Sequence, residues 1–191
     1  MIKNVVLILT TLLLLAGCSW GKYSEPKYYD LTTPEPLPAL KYPIQIKNFG
    51  NNTAVKQRMI YRTANDELLI DEYARFVQPP EKMLERYLAT AFSAPNSGNG
   101  KSGDEIICIY GKIFLVEFDV SSLEARLGIE YTIERKTADG MLQPVAFDST
   151  IFRSQATSAS PEVMTRALSR CAAQFTDQLY LILEQSSIEK E

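Results

Sequence analysis

No histidine occurs anywhere in the chain. Its absence removes the commonest general base, the usual serine or cysteine triad and most zinc sites. Clustered positive charge is missing too: the 20 Lys and Arg residues form no run longer than the pair Arg135-Lys136. Phosphate neutralisation needs such clusters, so no nucleic-acid partner is expected. No apolar run is long enough to cross a hydrocarbon core about 30 Å thick, Val5–Leu15 falling well short. What remains is ordinary. With 191 residues, 46% hydrophobic and 23% charged, the chain makes one globular domain with a real core, and its net charge is only −3. Neither an enzyme nor a cofactor is expected.

The N-terminus carries the most specific signal. Lys3 precedes the apolar run Val5–Leu15, and Leu15-Ala16-Gly17-Cys18 follows. This has the n-region, h-region and small-residue cleavage site of an export signal. Its last four residues resemble a bacterial lipobox, where signal peptidase II cuts before a lipid-modified cysteine. The alternative is a plain secretory signal with an incidental cysteine. On the lipobox reading, residues 1–17 are removed and Cys18 is lipidated. Three acyl chains, at about 0.8 kcal/mol per buried methylene, form a lasting membrane anchor. Ser19 stands where aspartate would signal inner-membrane retention, so the expected location is the outer membrane, facing the periplasm.

Residues 18–41 read as a tether, because Pro26, Pro34, Pro36 and Pro38 exclude a helix. Tyr23, Tyr28, Tyr29 and Leu31 are too apolar for a pure spacer. Tyr28-Tyr29-Asp30-Leu31 is expected to dock as an extended strand, Tyr29 and Leu31 inward, Tyr28 and Asp30 outward. Residues 42–191 form the domain. Tyr42–Phe49 alternates as a strand, and Arg58–Thr63 and Glu67–Val77 form a hairpin. Pro79-Pro80 opens a helix over Glu81–Phe92, with Met83, Leu84, Tyr87, Leu88 and Ala91 on one face. Ser93–Asp104 is a loop without P-loop spacing. Three long strands follow, Glu105–Phe118, Leu123–Lys136 and Met141–Arg153; in the middle one Ala125, Leu127, Ile129, Tyr131 and Ile133 share a face. Arg126, Glu130 and Glu134 make the other face wet. A last helix begins at Ser158–Glu162, with serine as cap and a stripe of Met164, Leu168, Cys171, Phe175, Leu179 and Ile182. The fold class is α+β, a two-layer sandwich of a mostly antiparallel sheet with two helices on one face.

Residues able to do chemistry do not converge. Asp66, Glu67, Asp71 and Glu72 lack a calcium-loop pattern and alternate along a strand, which favours a solvated edge over a metal site. Asp119, Ser121 and Ser122 read as turn chemistry. Arg62 and Arg75 are either structural or sites for an anionic partner, and Phe76 is either core or a rim aromatic. Cys108, on a central strand, and Cys171, on the helix stripe, are expected to be buried, free thiols.

The order of lipobox, Tyr28-Tyr29-Asp30-Leu31, proline-rich tether, Ile44-Gln45-Ile46, Met59-Ile60-Tyr61-Arg62 and Tyr73-Ala74-Arg75-Phe76 before Pro79-Pro80 resembles the ABC-type transport auxiliary lipoproteins of the PqiC type. The likeness runs over most of the mature chain. Phe76 stands where that family usually has tryptophan, and Gly50-Asn51-Asn52 replaces a more apolar segment. The resemblance implies the same sandwich, no catalysis, and a role beside a periplasm-spanning MCE-type or ABC transporter subunit that moves lipid or another hydrophobic solute. The hypothetical partner-binding residues are Tyr28, Asp30, Arg62 and Phe76; no catalytic or metal-binding residue is expected. Other functional classes stay open: a lipid-binding carrier with a pocket between sheet and helices, or a structural envelope lipoprotein.

Overall fold

The computed structural model describes residues 24–54, 56–93 and 105–188. Residues 1–23, which hold the expected lipobox and Cys18, and residues 94–104 of the glycine- and serine-rich loop lie outside the described residues. Among the described residues seven strands form one sheet: β1 (Lys27–Tyr29), β2 (Ile44–Asn51), β3 (Arg58–Arg62), β4 (Leu68–Phe76), β5 (Ile106–Asp119), β6 (Glu124–Lys136) and β7 (Leu142–Gln155). The two helices described, α1 (Pro80–Ala91) and α2 (Pro161–Ile188), pack on one of its faces. The chain is therefore an α+β two-layer sandwich.

Both helices start at proline, whose missing N–H falls among donors that a first turn leaves unpaired anyway. Ser160 Oγ accepts the Val163 N–H at 3.4 Å in front of α2. The α1 face is buried at Met83, Leu84, Tyr87, Leu88 and Ala91, as the helical spacing predicts. In α2 the stripe continues to Leu183, which is buried, whereas Ile182 is only half-buried. The chain reverses between β3 and β4, β5 and β6, and β6 and β7 with positive φ at Asp66, Leu123 and Gly140.

The sheet order is β1-β4-β3-β5-β6-β7, with β2 paired to β5. β5–β6, β6–β7 and β3–β4 are antiparallel; β1–β4, β2–β5 and β3–β5 are parallel. The sheet is thus mixed, although the two longest registers are antiparallel. One edge of β5 is shared end to end: β2 takes residues 107–113 and β3 takes 118–119. On the helix side Ile107, Ile109, Ile113, Val116 and Phe118 of β5 meet Ala125, Leu127, Ile129, Tyr131 and Ile133 of β6. Phe49, Tyr131 and Phe152 all surround the Phe175 ring, at centroid distances of 6.5, 5.2 and 5.6 Å. Around Phe175 the space between sheet and helices is filled by these side chains.

The two described thiols are free and buried. Cys171 Sγ, on α2, lies 3.5 Å from the Ala125 carbonyl, and burial pushes its pKa up to about 12. Cys108 alternates with the core residues Ile107 and Ile109, so it faces away from the helices, its sulfur 3.9 Å from Gln45 Oε1. The sheet itself separates the two sulfurs.

Candidate partner-binding surface

Residues 24–43 are less a tether than a strap. β1 adds to the edge of the sheet in parallel register with β4, pairing Tyr28 with Arg75 and Tyr29 with Phe76. Tyr29, Leu31, Leu37 and Leu40 pack against the core. The Thr32 N–H donates to Ser169 Oγ at 3.0 Å and the Leu37 N–H to the Ala91 carbonyl at 2.7 Å, so the strap is fastened to both helices. The folded unit accordingly includes residues placed in the tether by proline content alone. Proline excludes helix, but it does not exclude an extended segment that finds acceptors elsewhere.

The alternation expected over 28–31 is present: Tyr29 and Leu31 are half-buried, Tyr28 is 58% exposed and Asp30 is exposed. Asp30 pairs with Arg86 of α1, and Arg86 Nη1 also donates to Gln78 Oε1 at 3.2 Å. Asp30 through Pro34, with Met83, Arg86, Tyr87 and Thr90, line a small hollow of about 130 Å³. A more open groove of about 410 Å³ beside it, between β2 and α1, is lined by Ile46, Lys47, Lys82, Glu85 and Arg86.

Phe76 is not part of any surface. At 2% exposure it is a core residue, held inward by its register opposite Tyr29. Arg62 lies at the other end of β4, opposite Leu68, about 20 Å along the strand from the Arg75–Tyr28 pair. Its charge is committed: Arg62 Nε and Nη2 grip Glu117 Oε1 and Oε2 at 2.9 and 2.8 Å. The structure therefore leaves Tyr28 and Asp30 exposed, Tyr28 beside Arg75 of β4 and Asp30 paired with Arg86 of α1, whereas Phe76 lies in the core and Arg62 at the far end of the hairpin.

The grip on Glu117 belongs to an ion cluster on the sheet face that the helices leave open. Arg126 Nη1 reaches Glu117 Oε1 at 3.2 Å, its Nη2 bonds Asp119 Oδ2, and its Nε bonds Glu124 Oε2 at 3.3 Å. Glu117 and Asp119 are only 3% and 6% exposed. That face is thus half-covered by its own charges, where Arg126, Glu130 and Glu134 alone predict a fully wet one. The period-two pattern placed Arg126 correctly, but only the β5–β6 register puts it beside Glu117.

Asp119 also anchors the turn. The Ser121 hydroxyl and the N–H groups of Ser121 and Ser122 donate to its Oδ1 at 2.6, 2.9 and 3.1 Å. These bonds, the Ser121 hydroxyl foremost, hold its pKa down to about 2, below the ordinary 3.8. A depressed carboxylate pKa adds stability that is present above the ordinary value and lost as pH falls through the folded one. Chemical denaturation measured from pH 5 to 2 should show stability falling between about pH 4 and 2. Asp119→Asn should flatten that slope; an unchanged slope would remove Asp119 from the acid response.

Asp66, Glu67, Asp71 and Glu72 do not assemble. Asp66 approaches Arg62 at 3.5 Å, and Asp71 Oδ1 accepts the N–H groups of Tyr73 and Ala74 at 2.8 and 2.7 Å across a β4 bulge. Among the described residues no group of acidic, cysteine or histidine side chains is placed to hold a metal.

This arrangement defines a mixed-sheet α+β domain with a strapped N-terminal segment and an open, charge-studded sheet face. Protein XCC0632 from Xanthomonas campestris, described with the DUF330 family model, has a similar fold: TM-score 0.63 at 17% identity, covering 84% of this chain and 99% of that one. A second solved structure, described only as an uncharacterized protein, matches with TM-score 0.60 and 12% identity over 82% of this chain and 97% of that one. At such identities the likeness shows the fold alone. No family model and no curated protein matches the sequence.

Proposed function

We propose that the protein is a non-enzymatic outer-membrane lipoprotein facing the periplasm, an accessory or tethering subunit of an ABC/MCE-type system that transports lipid or another hydrophobic solute. The observation that carries this reading is a fold similar to that of a DUF330 protein in a chain whose Leu15-Ala16-Gly17-Cys18 resembles a lipobox and whose Tyr28-Tyr29-Asp30-Leu31 straps the domain; the PqiC-like family that the sequence resembles is DUF330. Cys18 would hold the domain at the membrane, while Tyr28 and Asp30 offer an exposed aromatic and a carboxylate at the point where the strap leaves the domain. The packed aromatic core around Phe175 favours the accessory role over a lipid carrier, and the groove of about 410 Å³ between β2 and α1 is open and lined mainly by polar and charged side chains, Lys47, Asn48, Lys82, Glu85 and Arg86 among them, where a carrier needs an apolar cavity.

The test is a photo-crosslinking residue at position 28 in the full-length protein, activated in native membranes. A transporter subunit should be recovered. Tyr28→Ala should reduce its recovery in chemical crosslinking several-fold with the melting temperature unchanged. Tyr29→Ala should instead cost about 1–2 kcal/mol, since its ring is only half-buried. If no transporter subunit is recovered with the wild-type chain, the accessory reading falls.

A further inference from the structure

We propose that the free end of the β3–β4 hairpin is a second membrane contact, in which Leu68, Leu69, Ile70 and Tyr73 dock on a zwitterionic phospholipid bilayer. The proposal rests on the reading of Cys18 as the lipid anchor.

Leu68, Leu69, Ile70 and Tyr73 are 50%, 54%, 47% and 50% exposed. Consecutive strand residues point to opposite faces, so Leu68 and Ile70 bare one face of the hairpin and Leu69 the other. A flat docking partner covers one face; an edge apolar on both is a wedge, suited to a fluid interface. The outer edge of β4 is occupied by β1 only at Ala74–Phe76, and among the described residues no strand pairs with it at Leu68–Asp71.

The chain itself indicates what lies opposite. β1 runs parallel to β4, so the polypeptide reaches Lys27 from the side of the hairpin turn. From Cys18 to Lys27 an extended chain spans at most about 30 Å. The stretch of β4 from Ala74 back to Leu68 takes up about 20 Å of that reach. An anchor at Cys18 approaching from that side leaves the hairpin end within roughly 10 Å of the bilayer surface. Tyr73 suits the headgroup level, where amphipathic rings collect.

Charge selects the lipid. Glu67 and Glu72 flank the apolar residues, while Asp66 faces Arg62 and Asp71 is turned onto its own backbone. A negative rim disfavours anionic headgroups, so the fitting surface is phosphatidylethanolamine or phosphatidylcholine.

Trp20 is the only tryptophan, so Trp20→Phe combined with Leu69→Trp gives a single reporter; Phe147→Trp in the same background is the control. Phe147 is 69% exposed on β7, at the opposite edge of the sheet. The lipidated full-length variants would be placed in phosphatidylcholine vesicles with or without brominated acyl chains. Bromination should quench the position-69 reporter at least twofold and leave the position-147 reporter unchanged. Substituting phosphatidylglycerol for half the lipid should weaken the quenching. An unquenched position-69 reporter on vesicle-bound protein overturns the proposal. So does a reporter shielded from both bromolipid and aqueous acrylamide, which would mean that protein, such as a second copy, covers the patch. An intact mass without lipid on Cys18 would defeat the anchor reading alone. The mature chain coupled through Cys18 to a maleimide lipid, with Cys108 and Cys171 protected by burial, then decides the hairpin contact by the same quenching.

Discussion

Gly111→Ala should destabilise the domain by about 3 kcal/mol, at the upper end of the cost of overpacking a core. A β-carbon at Gly111 would sit 2.1 Å from Phe49 Cε1 and within 2.6 Å of two other ring atoms. The ring has nowhere to go. Phe49 is 4% exposed and wedged against Phe175, and its own N–H is fixed to Glu85 Oε1 at 2.6 Å. That last bond is made at the β2–β5 register shift between Ile46 and Phe49, so α1 holds the irregular strand in place. For a domain of this size the loss corresponds to a melting temperature lower by roughly 10 °C. Phe49→Leu in the same chain should recover part of it, by making room. Gly128→Ala should also destabilise: its β-carbon would meet the half-buried Phe114 ring at 2.5 Å, which can swing towards solvent, but also the Leu115 β-carbon at 2.8 Å, which is fixed to its backbone. An unchanged melting temperature in Gly111→Ala would refute this account of the core.

Glu117→Ala should cost about 3 kcal/mol, the lower end expected when one partner of a buried ion pair is removed. The carboxylate takes both prongs of Arg62 and one nitrogen of Arg126, and its loss leaves two guanidinium groups facing each other at 25% and 22% side-chain exposure. Glu117→Gln, which keeps the shape and one acceptor, should be milder. Adding Arg62→Ala to Glu117→Ala should be partly compensating, because it removes the stranded charge. Urea titrations of the single and double variants measure this. Strictly additive losses would mean that the two side chains touch without coupling.

The parts of this fold legible in the sequence are those encoded by neighbours along the chain. The alternation from Ala125 to Ile133 announces β6, Pro80 and Pro161 announce the helices, and the alternation in Tyr28–Leu31 announces which side of the strap turns inward. Strand partners are another matter. Nothing local in Lys27–Tyr29 or Ile44–Asn51 says that each lies parallel to a strand far along the chain. The same holds for the candidate surface. Arg62 and Phe76 carry the side chains a binding site would want, yet long-range register gives Arg62 a buried carboxylate and Phe76 a place in the core. Glu117 is illegible for the converse reason: an isolated glutamate between apolar strand residues gives no sign of the two arginines that surround it.

The strap also sets an order of events. Its outermost clasp, Thr32 to Ser169, joins positions 137 residues apart, and its strand needs β4 already in place. A chain delivered N-terminus first, from a ribosome or an export channel, presents the strap long before α2 exists to receive it. The first segment to emerge is then among the last to settle, and until it does Tyr29, Leu31 and Leu37 stay unburied. Whatever guards the nascent protein against aggregation has to act on those residues for nearly the whole of delivery.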